Sequence, residues 1–318
     1  MINNFWIELE KPIKILAPMA SVTDSAFRQI LCKYGKPDVF LTEFVPADAL
    51  MNDKGREVKM IDLYFDKKEK PIVAQIFTSN AKHIFKTANL LKDMGFDGID
   101  INMGCPEKNI QKQGAGASLI RTPELAKELI SACQEGAPNL PISVKTRIGY
   151  LKNEVESWFK CLGQTNLAAL IVHGRTKKQM YQGFADWEAI KNAGDIVKSL
   201  NKNIIFIGNG DIKSLDEGLG KTEKYDLDGF AVGRAVLGNP WFFNKKEKKE
   251  DKSLEKIIAT LKEHAETFDK LYSGKKNFLI MRGHFSGYIS GFPGAKELRM
   301  KLMQVKNIKD LESAINNM

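Results

Sequence analysis

Residues 204–211, IIFIGNGD, hold the unit from which the chain is built: an apolar, β-branched run that stops in a glycine-rich polar turn. Similar runs recur as KILAPMA at 14–20, VFLTEF at 39–44, IVAQIF at 72–77, GIDINMG at 98–104, ISVKTRIG at 142–149, ALIVHGRT at 169–176 and GFAVGRA at 229–235. With IIFIGNGD they make eight. Apolar on both faces and separated by helix-like connectors, they fit the strands of a parallel sheet in repeating βα units. The connectors agree. NAKHIFKTANLLKDMGF carries Ile84, Phe85, Ala88, Leu91 and Met94 at helical spacing, and TPELAKELISACQEG opens on Thr122 as cap with Pro123 at the first helical position. Eight units in about 235 residues predict a TIM (β/α)8 barrel rather than an open doubly wound sheet of five to seven strands.

Many runs end in polar or glycine residues: Gln75, NMGC, KTR, HGRT, GNGD and GRA. In a barrel these ends share one face, where the chemistry of the fold is placed. After residue 240 the strand pattern stops. Residues 1–240 therefore read as the barrel domain and 241–318 as a small helical domain, with LEKIIATLKEHAETFDKLY as its clearest amphipathic segment. The net charge of +9 is concentrated there, with 16 Lys plus Arg against 10 Asp plus Glu after residue 240. A basic appendage suits a polyanionic partner, although surplus lysine also serves solubility.

No apolar run approaches the roughly 20 residues needed to cross a bilayer, and the N-terminal MINNFWIELEKPIK lacks a leader pattern, so no membrane role and a cytoplasmic location are expected. Cys32, Cys105, Cys133 and Cys161 are scattered, with no metal-ligand spacing, so no metal is expected. Cys105 lies in the tight Gly-Cys-Pro frame of INMGCPEKN, at a strand end, where a nucleophile or an acid is a better reading than a spectator.

The turns GNGD and VGRA end the seventh and eighth runs, where this fold often binds phosphate. Their glycines let backbone N–H groups approach an anion, and Arg234 can pair with it. Lys145 and Arg147, two apart, leave one face of a strand, and His173 ends the next. Together they can hold an anionic or electron-rich cofactor. Gln75 offers both a donor and an acceptor, as a flavin edge requires.

Taken together, LAPMASVTDSAFR, INMGCPEKNI, GAGASLI, VKTRIG, VHGRT, GNGDI and VGRAVLGNPWFF resemble the tRNA-dihydrouridine synthases, FMN-dependent enzymes that reduce uridine in transfer RNA. The likeness spans the barrel in order and is closest to the bacterial B-type branch. MRGHFSGYISGFPGAKELR resembles that family's C-terminal helical domain more loosely. The resemblance implies bound FMN, NADPH as co-substrate and tRNA as substrate. It places Pro18, Met19 and Ala20 against the isoalloxazine, and Gln75, Lys145 and His173 at its polar edge and ribityl chain. Asn209, Gly210, Asp211, Gly233 and Arg234 would hold the phosphate. Asn102 and Cys105 would face the uracil, with Arg147 and Arg175 as further substrate contacts. The expected chemistry is hydride from reduced flavin N5 to uracil C6. Because the flavin supplies the electrons, Cys105 is needed for a proton at C5, and a thiol of pKa near 8.5 is mostly protonated at neutral pH.

Phosphates of the RNA would meet Arg282, His284, Lys296, Arg299 and Lys301 in the tail, and Lys108, Lys112, Arg175, Lys177 and Lys178 at the barrel rim. The alternatives are an FMN barrel acting on a small free pyrimidine, which has no need of a basic appendage, and a non-catalytic RNA-binding barrel. A monomer without an obligate protein partner is expected.

Overall fold

The computed structural model describes residues 4–316. Nine strands follow along the chain: β1 (Ile13–Leu16), β2 (Val39–Leu41), β3 (Val45–Pro46), β4 (Ile72–Phe77), β5 (Gly98–Met103), β6 (Ile142–Arg147), β7 (Ala169–His173), β8 (Ile205–Asn209) and β9 (Gly229–Val232). All their pairings are parallel. The sheet closes because β1 runs beside β9 and β2 beside β4. β3 continues β2 along the same edge of β4, so the barrel has eight staves, one of them broken. The break at 42–44 follows from side chains with partners off the ladder. Thr42 Oγ1 donates to Glu43 O and accepts the Gln75 N–H, while the Glu43 carboxylate accepts from Ser21 N–H and pairs with Lys276. The eight apolar runs are thus the eight staves of a TIM barrel.

Alternation divides each strand between two environments. Ile13, Ile15, Val39, Leu41, Val73, Ala169, Ile171, Ile205, Ile207 and Ala231 fill the lower interior, and fully buried Trp6 joins the same cluster. Their neighbours, among them Phe40, Ile76, Ile101, Val144, Val172, Phe206 and Phe230, join the larger core shared with the surrounding helices. Those helices include Ser25–Tyr34, Ala81–Asp93, Pro123–Gly136, Val155–Gly163, Trp187–Leu200 and Leu215–Lys224. Asn80, Asp186 and Ser214 cap three of them by accepting backbone N–H groups in the first turn. Pro123 opens its helix as expected, but the Thr122 side chain makes no capping bond. Phe85, expected on the apolar face, is instead 41% exposed.

Four helices, Leu254–Tyr272, Met281–Tyr288, Ala295–Leu302 and Ile308–Asn316, form a second apolar core around Leu261, Phe268, Phe285, Tyr288 and Leu298. That core takes in Ala26 from the barrel's first helix. Polar contacts then pin the loop after β1. Tyr272 Oη accepts the Ser25 N–H (3.0 Å), Lys276 Nζ reaches Glu43 (2.7 Å) and Asp62 (2.8 Å), and His284 Nε2 lies 3.1 Å from Val22 O. Under the same loop, Arg28 and Glu69 form a fully buried pair (2.6 Å), and Arg28 also donates to Thr23 O and Tyr64 O. Among the described residues, no helix is long and apolar enough to cross a membrane.

His264 and His284 face each other in this interface, ring centroids 4.5 Å apart, and burial holds both neutral, pulling His284 down to about 4. A histidine depressed on folding gives stability that is present above its unfolded pKa of about 6.5 and lost as pH falls toward its folded value. Asp24, raised to about 7 by burial and by Glu43, and Asp100, raised to about 6 by burial, act in the opposite sense over the same window. The comparison must therefore be with a variant. His284→Gln keeps a donor for Val22 O but cannot titrate. Relative to wild type it should gain up to about 3 kcal/mol as pH falls from 7 to 4, read from unfolding curves at each pH.

Candidate active site

At the C-terminal end of the barrel the inward-facing positions change from apolar to polar. Register brings Arg147 of β6 level with His173 of β7, His173 with Asn209 of β8, and Asn209 with Ala231 of β9. One level lower, Asn102 of β5 pairs with Lys145 and Gln75 of β4 with Asp100. Above them opens a cavity of about 850 Å³. Pro18, Met19, Gln75, Asn102, Cys105, Lys145, Arg147, His173, Arg175, Asn209, Gly210, Asp211, Gly233 and Arg234 all line it. Of the sequence-derived site residues, Ala20 alone is elsewhere: it is exposed, and Ala17 lines the cavity instead.

A directed chain of hydrogen bonds forms the floor. The Asp100 carboxylate accepts from Ser143 Oγ (2.7 Å) and from Gln75 Nε2 (2.7 Å). A carboxylate can only accept, so Gln75 must present its amide nitrogen downward and its Oε1 to Asn102 Nδ2 (3.0 Å). Asn102 Oδ1 is then left to accept the N–H groups of Gly104 (3.1 Å) and Cys105 (2.9 Å). Asp100 thereby sets the orientation of both amides and, through them, the turn that carries the thiol. Gln75 and Asn102 each retain an unused hydrogen, and Gln75 a lone pair, for a ligand.

Cys105 is half-buried and lines the cavity. Burial raises its thiol above the ordinary range, and the lowering influence of Arg147 and Lys145 does not overcome it, so the side chain is a thiol at neutral pH. Lys145 is lowered to about 8, first by burial and then by Arg147, and its Nζ lies 3.2 Å from Asn209 Oδ1. His173 is pushed well below its usual value by burial and by Arg147, Lys145, Arg175 and Arg234, and is therefore neutral.

Two of the three arginines of the site are committed to the protein. Arg147 donates to Gly104 O, Thr176 O and Met180 O. Arg175 grips Asp211 with both terminal nitrogens (2.9 and 2.6 Å) and also donates to Gln182 O and Gly183 O. Arg234 completes the Asp211 cluster at 3.2 Å but remains 59% exposed in its side chain. Beside it, the backbone N–H groups of Gly210, Asp211, Gly233 and Arg234 donate to no other group among the described residues. Gly210 has φ +128° and no room for a side chain, since a Cβ would stand 2.6 Å from Ala185 Cβ and 3.0 Å from His173 Cδ2. Four free amides beside an exposed guanidinium offer the donors that an anion needs.

Among the residues named for RNA phosphates, Lys108, Lys112, Lys178, Lys296 and Lys301 are exposed and Lys177 is half-buried. Arg282 and Arg299 donate to Val305 O and Ile289 O. His284 is 1% exposed, which corrects its placement on the RNA face: its partner is Val22, inside the interface between the helices and the barrel. No cluster of three metal-ligating side chains occurs among the described residues. Asp100 and Ser143 were not singled out from sequence, yet both share the inward face with Asn102 and Lys145 by simple alternation. Phe44, at the break of the second stave, also reaches the cavity, as do Tyr181 and Phe184 from a loop without any periodic signal.

The dihydrouridine synthase family model matches residues 15–317. The chain belongs to the dihydrouridine synthase family. Curated relatives agree: a Staphylococcus aureus protein named probable tRNA-dihydrouridine synthase is 37% identical over 318 residues, covering 99% of this chain and 96% of the relative. A Bacillus subtilis protein named probable tRNA-dihydrouridine synthase 2 is 36% identical, covering 100% and 97%. Among solved structures, morphinone reductase superposes with a TM-score of 0.52 at 12% identity, over 73% of this chain and 84% of that one. A 2-naphthoyl-CoA reductase complex gives 0.53 at 8%, over 73% and 49%. At such identities the likeness speaks for the barrel alone.

In this dihydrouridine synthase the Asp100 chain has a measurable energetic consequence. Asp100→Leu strands the buried donors of Gln75 and Ser143, at about 1–3 kcal/mol each. The substitution should lower unfolding stability by roughly 2–5 kcal/mol in urea titrations, with Asp100→Asn, which keeps an acceptor, losing less. Equal stability of the leucine variant and wild type would remove the role assigned to this carboxylate.

Proposed function

We propose that the protein reduces the C5–C6 double bond of uridine in tRNA to 5,6-dihydrouridine, with bound FMN as hydride carrier and NADPH as reductant. One observation carries the reading. A half-buried thiol, fixed by the Asn102 turn, shares a cavity with four free backbone amides beside an exposed guanidinium and with an amide edge that still has a donor and an acceptor to offer. The donor set fits FMN. Gly210, Asp211, Gly233 and Arg234 would hold its phosphate, Gln75, Lys145 and His173 its polar edge and ribityl chain, and Pro18 and Met19 would lie against its ring.

FMN, held by these residues and reduced, would supply hydride for C6 of the uracil. The chain's own residues do the rest. Cys105 holds the proton that C5 requires, and burial keeps it on sulfur. Lys145 and the buried arginines keep the cavity positive, which favours the charge that develops on the uracil as hydride arrives. Neutral His173 adds a hydrogen-bonding group without adding to that charge. A uridine must leave the RNA stack to enter a site at the barrel mouth, at a cost of a few kcal/mol. Exposed lysines at the rim and on the helical unit suit the surrounding phosphates. Arg147 and Arg175 support substrate binding by shaping the wall, through the carbonyls they hold. Residues 1–240 then serve as the catalytic domain and 241–318 as the tRNA-contacting one, in a cytoplasmic monomer.

Dihydrouridine mapped in tRNA from a strain lacking the gene, then rescued with wild type or Cys105→Ala, tests this directly. Wild type should restore the modification. The alanine variant should retain flavin and its reduction by NADPH yet lose roughly 10²–10⁴ in the rate of uridine reduction, the span of general acid catalysis. Full rescue by Cys105→Ala would sink the acid assignment. Turnover of free uracil with none of tRNA would favour a small-molecule reductase.

A further inference from the structure

We propose that Phe184 is a stacking platform for an unpaired RNA base next to the reacting uridine, a reading that rests on the tRNA substrate proposed above. Phe184 is 87% exposed, the most exposed of the large apolar residues described, yet it also lines the active-site cavity. A phenylalanine so placed contributes almost nothing to the core. Its exposure is not a sign of a loose loop, because the segment that presents it is held from beneath at almost every residue.

Arg147 Nη1 donates to Thr176 O (3.1 Å) and Met180 O (3.0 Å), and Arg175 donates to Gln182 O (3.1 Å) and Gly183 O (2.5 Å). Lys177 N–H and Lys178 N–H donate to Gly149 O and Tyr150 O in the loop after β6. Asp211, already gripped by Arg175, accepts the Ala185 N–H at 2.8 Å. Two residues of the segment have left-handed backbone: Gly183 at φ +64°, and Met180 at φ +51°, where a side chain makes that conformation costly. Two buried guanidiniums and a left-handed methionine thus maintain a loop whose product is an aromatic ring held out at the cavity mouth.

The surroundings select the occupant. Arg234 stands over the Tyr181 ring at 5.2 Å, Lys213 and Lys221 line the same cavity, and Lys177 and Lys178 belong to the segment that carries Phe184, so the surroundings suit a polyanion rather than an apolar protein face. Flipping the uridine opens a gap in the RNA stack, and an aromatic side chain beside the cavity can cover the face of the neighbouring base regardless of its identity.

Steady-state reduction of tRNA from a strain lacking dihydrouridine tests the assignment with Phe184→Ala and Phe184→Trp. The alanine variant should raise KM for tRNA about tenfold, the loss of one base stack, with kcat little changed, while tryptophan preserves it. Filter binding of the same tRNA should weaken in parallel. A rise in KM for NADPH in place of that for tRNA would assign the ring to the nicotinamide nucleotide and overturn the proposal. Unchanged KM for both would overturn it as well. Wild-type protein that forms no dihydrouridine at all would be a failure of the proposed function, visible before any variant is made.

Discussion

A closed parallel barrel forces every second residue of each strand into an interior too narrow for bulk water, and the rest of this molecule follows from how that interior is divided. Below, isoleucine, valine and alanine fill it. Above, the same alternation must place polar groups where solvent cannot satisfy them, so each needs a partner with the right sense of donor and acceptor. Asp100 supplies the fixed point. An acceptor-only group at the bottom of the chain leaves Gln75 and Asn102 no freedom to turn over, and the geometry around Cys105 inherits that lack of freedom.

The electrostatics of the mouth work by division of labour. Of the six cationic residues that line the cavity, four each have a different restraint. Arg147 is bound to carbonyls and Arg175 to Asp211. Lys145 is weakened by burial, and Arg234 stays in solvent. Burial first, and then their combined field, keeps His173 neutral. Yet it does not ionise Cys105, because loss of solvent around the thiol outweighs cations that are themselves partly spent elsewhere. The site is positive without being a place where a thiolate forms.

Most of the barrel could be read from eight apolar runs, because a strand buried on both faces leaves that mark on its own residues. Lys145 and Arg147 were legible for the same reason, since alternation assigns a face, and His173 by ending the neighbouring strand, whereas Asn102 came only through the family resemblance. The partners of the arginines were not. The carbonyls they hold come from a loop with no periodicity, and a guanidinium facing a substrate looks in sequence like one facing the backbone. The broken second stave was missed because Thr42 and Glu43 extend the run VFLTEF without signalling that they bond outside it. His284 was misplaced because it lies in a basic stretch, and composition reports charge but not burial.

The loop after β1 carries Met19 into the cavity, and besides Glu43 and Arg28 nearby, groups from residues 272–284 help hold it: Tyr272 and Ser25 are 247 residues apart. Loop closure over such a separation must wait for the intervening barrel to assemble. Synthesis runs from N- to C-terminus, so this wall of the cavity is made well before the residues that help secure it. The outer ties of the cavity mouth therefore form only when residues 272–284 dock, which separates completion of the pocket from closure of the sheet.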